Sequence, residues 1–385
     1  MNWNVGRMGK LWPSVKRNAG HDLLAASIWL AGAALGGTFV LGCGGTTGSS
    51  FSTGQKMAIA MASQIRLYNV ADAVAATGPA PVPVQTIAAA NVLSVAFDLN
   101  KNLYYLANNG TAGSVATFFS CPAPALGGTY TCHAVGSSID GGQWLAIDHA
   151  ATAYATSLGL TGSVISFPIA SGPSATPSVV YSSTSLPVAY GGLAVDSGGT
   201  LYVTEQPSTT NNSDTLYKCT TVCRNSSGTQ ADISSQILAS APNSVIGGPL
   251  AIGSDGTTLY VGAANPVIVS PSILPVVFVC TPQGTGGLGC QADNVTFTPL
   301  GGTDSPYIGT VGVAADSSNN VYDALLLTNY GDMTVTLGPP FFGHNAAGSL
   351  FACSSTPSTC PVNQLPSVPV VSHPASVPYG LAISP

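Results

Sequence analysis

Gly191 to Glu205 reads GGLAVDSGGTLYVTE, and the fold follows from how this phrase recurs. A short apolar run ending at Val195 meets Asp196-Ser197-Gly198-Gly199, and an alternating run then carries the chain to Glu205. Two apolar runs around a Gly/Asp/Ser cluster predict a β-hairpin. The phrase returns as VLSVAFDLNKNLYYLAN around Ala96, QWLAIDHAATAYATS around Ala146, GPLAIGSDGTTLYVGA around Ala251 and VGVAADSSNNVYDAL around Ala314. A sixth copy, PYGLAISP around Ala382, is half finished. The intervals of 50, 48, 57, 63 and 68 residues suit a constant framework carrying variable loops.

A third apolar phrase follows each hairpin: SVATFFSC from Ser114, SVISFPIA from Ser163, TLYKCTT from Thr215, VVFVCTP from Val276 and SLFACSS from Ser349. A weaker fourth strand comes next, as in PSVVYSS near Val179 and NVTFTPL near Val295. Four antiparallel strands per unit make a propeller blade. The sixth copy lacks strands two to four, and KMAIAMAS from Lys56, QIRLYNV from Gln64 and PVPVQTI from Pro81 supply them. The expectation is an all-β, six-bladed β-propeller of four-stranded antiparallel blades over residues 55–385. Its ring closes by pairing Tyr379–Ile383 against Met57–Ala62, which leaves few free strand edges.

The "GLAVD…G.LYV" phrase resembles the NHL and SMP-30/gluconolactonase group of six-bladed propellers, over roughly residues 55–385. The resemblance implies the fold; members of that group have unrelated activities. Its lactonases hold a divalent metal in the central channel with Glu, Asn and Asp. The inner strands here begin at Ser94, Trp144, Gly192, Pro249, Gly312 and Gly380, which offer no such ligand set, so no metal or cofactor is expected.

Residues 1–42 read as an export signal. Arg7, Lys10, Lys16 and Arg17 precede the apolar run Leu23–Gly42, which ends at Cys43. Val40-Leu41-Gly42-Cys43 resembles a bacterial lipobox, which implies lipidation of Cys43; a plain signal or membrane anchor is the alternative. Residues 43–54 are a Gly/Ser/Thr-rich tether. The remaining eight cysteines fall into four local pairs, Cys121 with Cys132, Cys219 with Cys223, Cys280 with Cys290 and Cys353 with Cys360, each at a strand 3–4 hairpin. Their unequal spacings argue against metal sites, and export favours disulfides. Beyond Cys43 five Lys and Arg face fourteen acids, a net charge of −9. Nucleic acid is thereby excluded as a partner, for want of a cationic footprint.

Propeller geometry puts the 1–2 and 3–4 turns on one face and the 2–3 connections on the other. The 2–3 connections are the variable ones: Asn108–Gly113, Gln206–Asp214, Asn265–Pro275 and Thr328–Gly348. That face is the expected ligand face. Glu205, the only Glu in the chain, ends strand two on that side. Tyr330, Asp332, Phe341, Phe342 and His344 cluster in the longest connection and could hold a protein or a carbohydrate. No pairing brings His133, His149 and His373 to one site. Asp98, Asp148, Asp196 and Asp316 recur at the entry to the 1–2 turn, where Asp hydrogen-bonds the turn's own backbone. The functional expectation is a monomeric, lipid-anchored binding or scaffold module of a bacterial envelope, in the periplasm, at the outer membrane or at the cell surface. A divergent metal-dependent lactonase or hydrolase is the alternative.

Overall fold

The computed structural model describes residues 54–385 except 62, 72–82, 111–113, 127, 158–161, 175–176, 184–187, 208–214, 220–229, 239–247, 254, 263–267, 270–271, 274–276, 285–286, 293–305, 318–320, 330–334, 337–341 and 345–377. These residues form an antiparallel all-β propeller with four-stranded blades. The chain opens with β1 (Lys56–Met61), β2 (Gln64–Asn69) and β3 (Gln85–Ala88). The next sheet is β4 (Val92–Phe97), β5 (Leu103–Ala107), β6 (Ala116–Cys121) and β7 (His133–Ile139). Then come β8 (Leu145–Ile147), β9 (Thr152–Ser157), β10 (Ser163–Pro168) and β11 (Ser178–Ser182). The quoted hairpin is β12 (Val188–Val195) and β13 (Leu201–Pro207), continued by β14 (Thr215–Cys219) and β15 (Gln230–Asp232). The following sheet uses β16 (Leu250–Ile252) and β17 (Leu259–Gly262), and a two-stranded ribbon, β18 (Ile268–Val269) with β19 (Ser272–Ile273), stands in its 2–3 connection. Its outer strands are β20 (Val277–Pro282) and β21 (Leu288–Ala292). Last are β22 (Pro306–Ala315), β23 (Val321–Asn329), β24 (Val335–Thr336), β25 (Phe342–His344) and β26 (Pro378–Ile383).

β26 pairs antiparallel with β1, with Met57 opposite Ile383, Ile59 opposite Leu381 and Met61 opposite Pro378. The innermost strands β26, β4, β8, β12, β16 and β22 each contact the next, and β22 contacts β26.

The repeated phrase earns its recurrence through one hydrogen-bonded unit. Asp196 Oδ1 accepts from the Gly198 and Thr200 amides at 2.9 and 2.7 Å, and its Oδ2 accepts from the Tyr202 hydroxyl at 3.3 Å. Asp98 with Tyr104 (3.0 Å) and Asp148 with Tyr154 (3.1 Å) repeat the arrangement, turn amides included. The Tyr322 hydroxyl likewise donates to Asp316 at 3.1 Å. The aspartates are therefore turn-builders, and each ties the turn to the tyrosine of the following strand. In the fourth copy Gly253 stands in the Asp place, and Asp255 closes the turn on Thr257 and Thr258 instead. The third residue after the Asp is left-handed: Gly199 at φ 80°, but Lys101 at 63° and Ala151 at 60°.

Adjacent blades meet at the inner strands with almost no space. A Cβ on Gly192 would lie 2.7 Å from the Leu250 nitrogen, and one on Gly312 would lie 2.8 Å from the Leu381 nitrogen. Both glycines adjoin a register shift that presses the backbone inward. Hydroxyls finish the seam: Thr204 Oγ1 donates to the Gly248 carbonyl at 2.9 Å, and Ser94 Oγ accepts from the Leu145 amide at 3.2 Å. Because the obstacle at Gly192 is backbone, Gly192→Ala should cost roughly 1–3 kcal/mol by overpacking. Urea denaturation reads this as a lower midpoint at unchanged slope.

Between blades, side chains fill the space. Phe118 of β6 meets Phe167 of β10 edge-on at 5.2 Å, and Tyr202, Leu216 and Ile237 pack with Leu259 and Phe278 of the next sheet. Two hairpin disulfides stand where the spacing placed them, Cys121–Cys132 and Cys280–Cys290, with Cα atoms 4.1 and 4.0 Å apart. Cys219 is also disulfide-bonded. Its expected partner Cys223 lies outside the described residues. The fourth expected bridge, between Cys353 and Cys360, is not among the disulfides of the described residues, because Cys353 and Cys360 both lie outside them.

The blade count departs from expectation. Five sheets have the full four-strand meander, not six. In the sixth, the third place along β23 is shared: β24 pairs Leu327 and Thr328, while β25 pairs Val321 to Asp323. In three other blades the residue opposite the start of strand two is the first Cys of a pair: Leu103 faces Cys121, Leu201 faces Cys219 and Leu259 faces Cys280. Here Val321 faces His344, where the repeat predicts Cys353 at the mouth of a hairpin that Cys360 would close. Cys353 and Cys360 themselves lie outside the described residues.

Candidate functional site

Glu205 lies near the end of β13, opposite Tyr190 on β12 and Thr215 on β14. Alternation along the strand would send its side chain to one face of the sheet, and the packing of the next sheet decides what it meets. That neighbour is the outer edge of the preceding blade. The Tyr181 hydroxyl, on β11, donates to Glu205 Oε1 at 2.5 Å, and Ser183 Oγ donates to Oε2 at 3.1 Å. The carboxylate is only 4% exposed. The expectation that Glu205 opens onto the ligand face is thus corrected: it is buried in the seam between two blades.

The surroundings are aromatic. Tyr190 and Tyr217 flank Tyr181 with ring centroids at 6.4 and 6.0 Å. The Trp144 indole N–H donates to the Tyr190 carbonyl at 2.8 Å, closing the cluster from the inner side. Burial pushes the Glu205 carboxyl above its ordinary value of 4.5, and the hydroxyl donors Tyr181 and Ser183 pull partly back. The Tyr181 and Tyr190 phenols are raised, first by burial and then by the Glu205 charge. The Tyr190 hydroxyl is buried and finds no hydrogen-bond partner among the described residues.

Chemically this is an acceptor with both oxygens taken. A general base must reach the proton that it abstracts, and here both oxygens answer hydroxyls of the scaffold itself. The geometry joins blades rather than serving a substrate.

Of the other candidate ligand residues singled out, the two that are described belong to a different sheet from Glu205. Phe342 and His344 lie on β25, opposite Asp323 and Val321. That register carries them to the end of β23 beside the 1–2 turn, away from the 2–3 connections where a loop reading puts them. Tyr330, Asp332 and Phe341 lie outside the described residues, as do Cys43, Cys223, Cys353 and Cys360. His133 begins β7, His149 is an exposed residue of a 1–2 turn, and His373 is outside the described residues. Among the described residues no group of three or more His, Cys, Asp or Glu is placed to hold a metal, and no helix is long and apolar enough to cross a membrane.

Sequence reasoning missed Tyr181, Ser183 and Tyr190. The first two belong to PSVVYSS, whose only signal is strand alternation. Nothing in one strand's period tells which residue of the neighbouring blade it will face.

No family model and no curated protein matches the sequence. Solved structures similar to this one include TolB from Acinetobacter baumannii, at TM-score 0.48 and 14% identity, covering 97% of this chain and 73% of that one. A protein of unknown function from Bacteroides caccae aligns at TM-score 0.47 and 10% identity, over 86% of this chain and 99% of that one. A gluconolactonase from Xanthomonas campestris aligns at 0.39 and 12% identity, over 77% and 83%. The propeller that the repeated phrase led one to expect is seen in the sheets of the chain itself.

Proposed function

We propose that this protein is an exported propeller, lipid-anchored at Cys43 in a bacterial envelope, that serves as a binding or scaffold module through the loops of its 2–3 face. We propose further that the ring has six blades and is closed by β26. What supports the closure is the pairing of β26 with β1 and the unbroken succession of inner strands. What supports the binding reading over an enzyme is where the acids go. Asp98, Asp148, Asp196, Asp316 and Glu205 each commit carboxylate oxygens to donors of the scaffold itself. Hairpin disulfides and a net charge of −9 beyond Cys43 suit an oxidising compartment and disfavour nucleic acid.

Two measurements test this. A scaffold should be indifferent to divalent cations: EDTA, then Ca²⁺, Mn²⁺ or Zn²⁺, should move the thermal midpoint by no more than about 1 °C. A cation that raises the midpoint by several degrees through mass action would favour the lactonase alternative. Separately, Cys43→Ser should release the protein from membranes or leave an uncleaved precursor. A wild type found fully soluble, with its mature N-terminus elsewhere, would refute the anchor.

A further inference from the structure

We propose that the face carrying the 1–2 turns lies against the lipid bilayer, with Leu99 and Leu126 seated in the headgroup–acyl boundary. The inference rests on the anchored reading above and adds which face meets the membrane.

Leu99 and Leu126 are 52% and 82% exposed, and they belong to one blade. Leu99 follows Asp98 in the turn between β4 and β5, and Leu126 lies in the hairpin between β6 and β7. The two loops share a face and are braced together. The Ala123 amide donates to Asn102 Oδ1 at 2.8 Å, and the Tyr130 hydroxyl donates to the Lys101 carbonyl at 2.9 Å. The Cys121–Cys132 disulfide closes the longer loop, and the Gly128 amide turns back on the Ala125 carbonyl at 2.8 Å. Leu126 therefore stands at the tip of a stapled hairpin instead of folding onto its blade. Pro122, Ala123 and Ala125 beside it are exposed too.

Single exposed leucines are ordinary on protein surfaces. What gives these a partner is the point at which the chain enters the propeller. Gln55 Oε1 accepts from the Ser317 amide and hydroxyl at 2.9 and 2.7 Å, and Ser317 belongs to the 1–2 turn of the last sheet. Lys56, at the start of β1, bonds through its amide to Ser384 Oγ at 2.8 Å. The entry point is thus on the face of the 1–2 turns. Twelve residues, 44–55, lie between Cys43 and Lys56, a Gly/Ser/Thr-rich tether of ~20 Å average span, so an anchor at Cys43 favours contact through the entry face.

Electrostatics alone would not bring it there, since the chain beyond Cys43 carries −9. The two loops are the suitable part of that surface. Residues 122–132 hold no charge, and the 98–102 turn adds Lys101 beside the internally bonded Asp98. An anchored chain meets the bilayer at a raised local concentration, so a second, weaker contact on the same molecule gains from it.

Tryptophan quenching tests the face. Trp144 is the one tryptophan beyond Cys43, and it precedes β8 at the end away from the 1–2 turn. Leu126→Trp and Leu99→Trp, both at exposed sites, add reporters to the loops. The lipidated chain is reconstituted in phosphatidylethanolamine–phosphatidylglycerol vesicles, with or without phosphatidylcholine brominated on the upper acyl chain. Expected is a roughly twofold loss of the added emission in brominated vesicles, as insertion of ~5–10 Å would give, while wild-type Trp144 is unaffected. Vesicles that float with the protein while neither reporter is quenched would overturn the face and leave the anchor standing. Protein that does not float with vesicles would overturn both. Concentration-dependent cross-linking through these loops, with no quenching, would assign the face to a second protein and overturn the proposal equally.

Discussion

Deleting residues 377–385 should unfold the entire propeller, not fray one end of it. These residues hold β26, which touches β1, β22 and β4 and so joins three sheets. Leu381 is buried with Met57, Ile59 and Tyr322, and its backbone fills the approach to Gly312. Ser384 is fully buried, and its links to the N-terminal side are dense. It receives the Lys56 amide on its hydroxyl at 2.8 Å, gives its own amide to the Lys56 carbonyl at 2.8 Å, and takes the Gln55 side-chain amide on its carbonyl at 2.7 Å. At about 1 kcal/mol per hydrogen bond and about 2 for the leucine, with the β1 edge left unpaired in addition, the loss exceeds ~5 kcal/mol. Domains have only ~5–15 kcal/mol in total. Far-ultraviolet circular dichroism should therefore show lost strand signal or a single transition at much lower urea. An unchanged midpoint would refute the closed ring.

The propeller was legible because its evidence is a repeat. Six copies of one phrase, the last cut short at PYGLAISP, leave Met57–Met61 as the segment that lacks an inner partner, and β26 pairs there. The register of three hairpin cysteines could also be read, because each stands at the same offset from a strand start. The sixth sheet could not be read in this way. Phrase matching assigns SLFACSS to the third strand and a staple from Cys353 to Cys360 to the hairpin after it. Those residues lie outside the described ones, and the segments that do pair with β23 there, β24 and β25, are two and three residues long and carry no repeated phrase.

The candidate site was legible only in part. The turn role of Asp196 and its equivalents follows from local chemistry, since the acceptor and the amides lie within four residues. Their tyrosine partners, six residues on, were visible in every LYV-like phrase, yet only a hairpin brings them back to the carboxylate. Glu205 was noticed for its rarity, and rarity says nothing of direction. Its environment comes from Tyr181 and Ser183 of another sheet, and such contacts leave no periodic trace.

That environment makes the seam sensitive to pH in a definite sense. Burial raises the Glu205 carboxyl in the folded state above the 4.5 it has when exposed. Below about 4.5 the acid is protonated in both states and costs folding nothing. As pH rises, the unfolded chain ionises first, so stability falls until the folded carboxyl has ionised as well. The wild type should lose stability from about pH 4.5 upward, and Glu205→Gln, which keeps an acceptor for Tyr181, should flatten that limb. Glu205→Ala removes the acceptor from two buried hydroxyls and leaves a void; the expected cost at neutral pH is roughly 3–5 kcal/mol. The tyrosines separate the contributions. Tyr181→Phe deletes a 2.5 Å bond to the carboxylate and should cost ~1–3 kcal/mol. Tyr190→Phe removes a buried hydroxyl with no partner among the described residues and should be neutral or stabilising by up to ~1 kcal/mol. Urea titrations of the four variants between pH 4 and 8 measure all of this. Equal losses for the two tyrosines, or a Glu205→Gln profile parallel to wild type, would show that the carboxylate does not hold the seam.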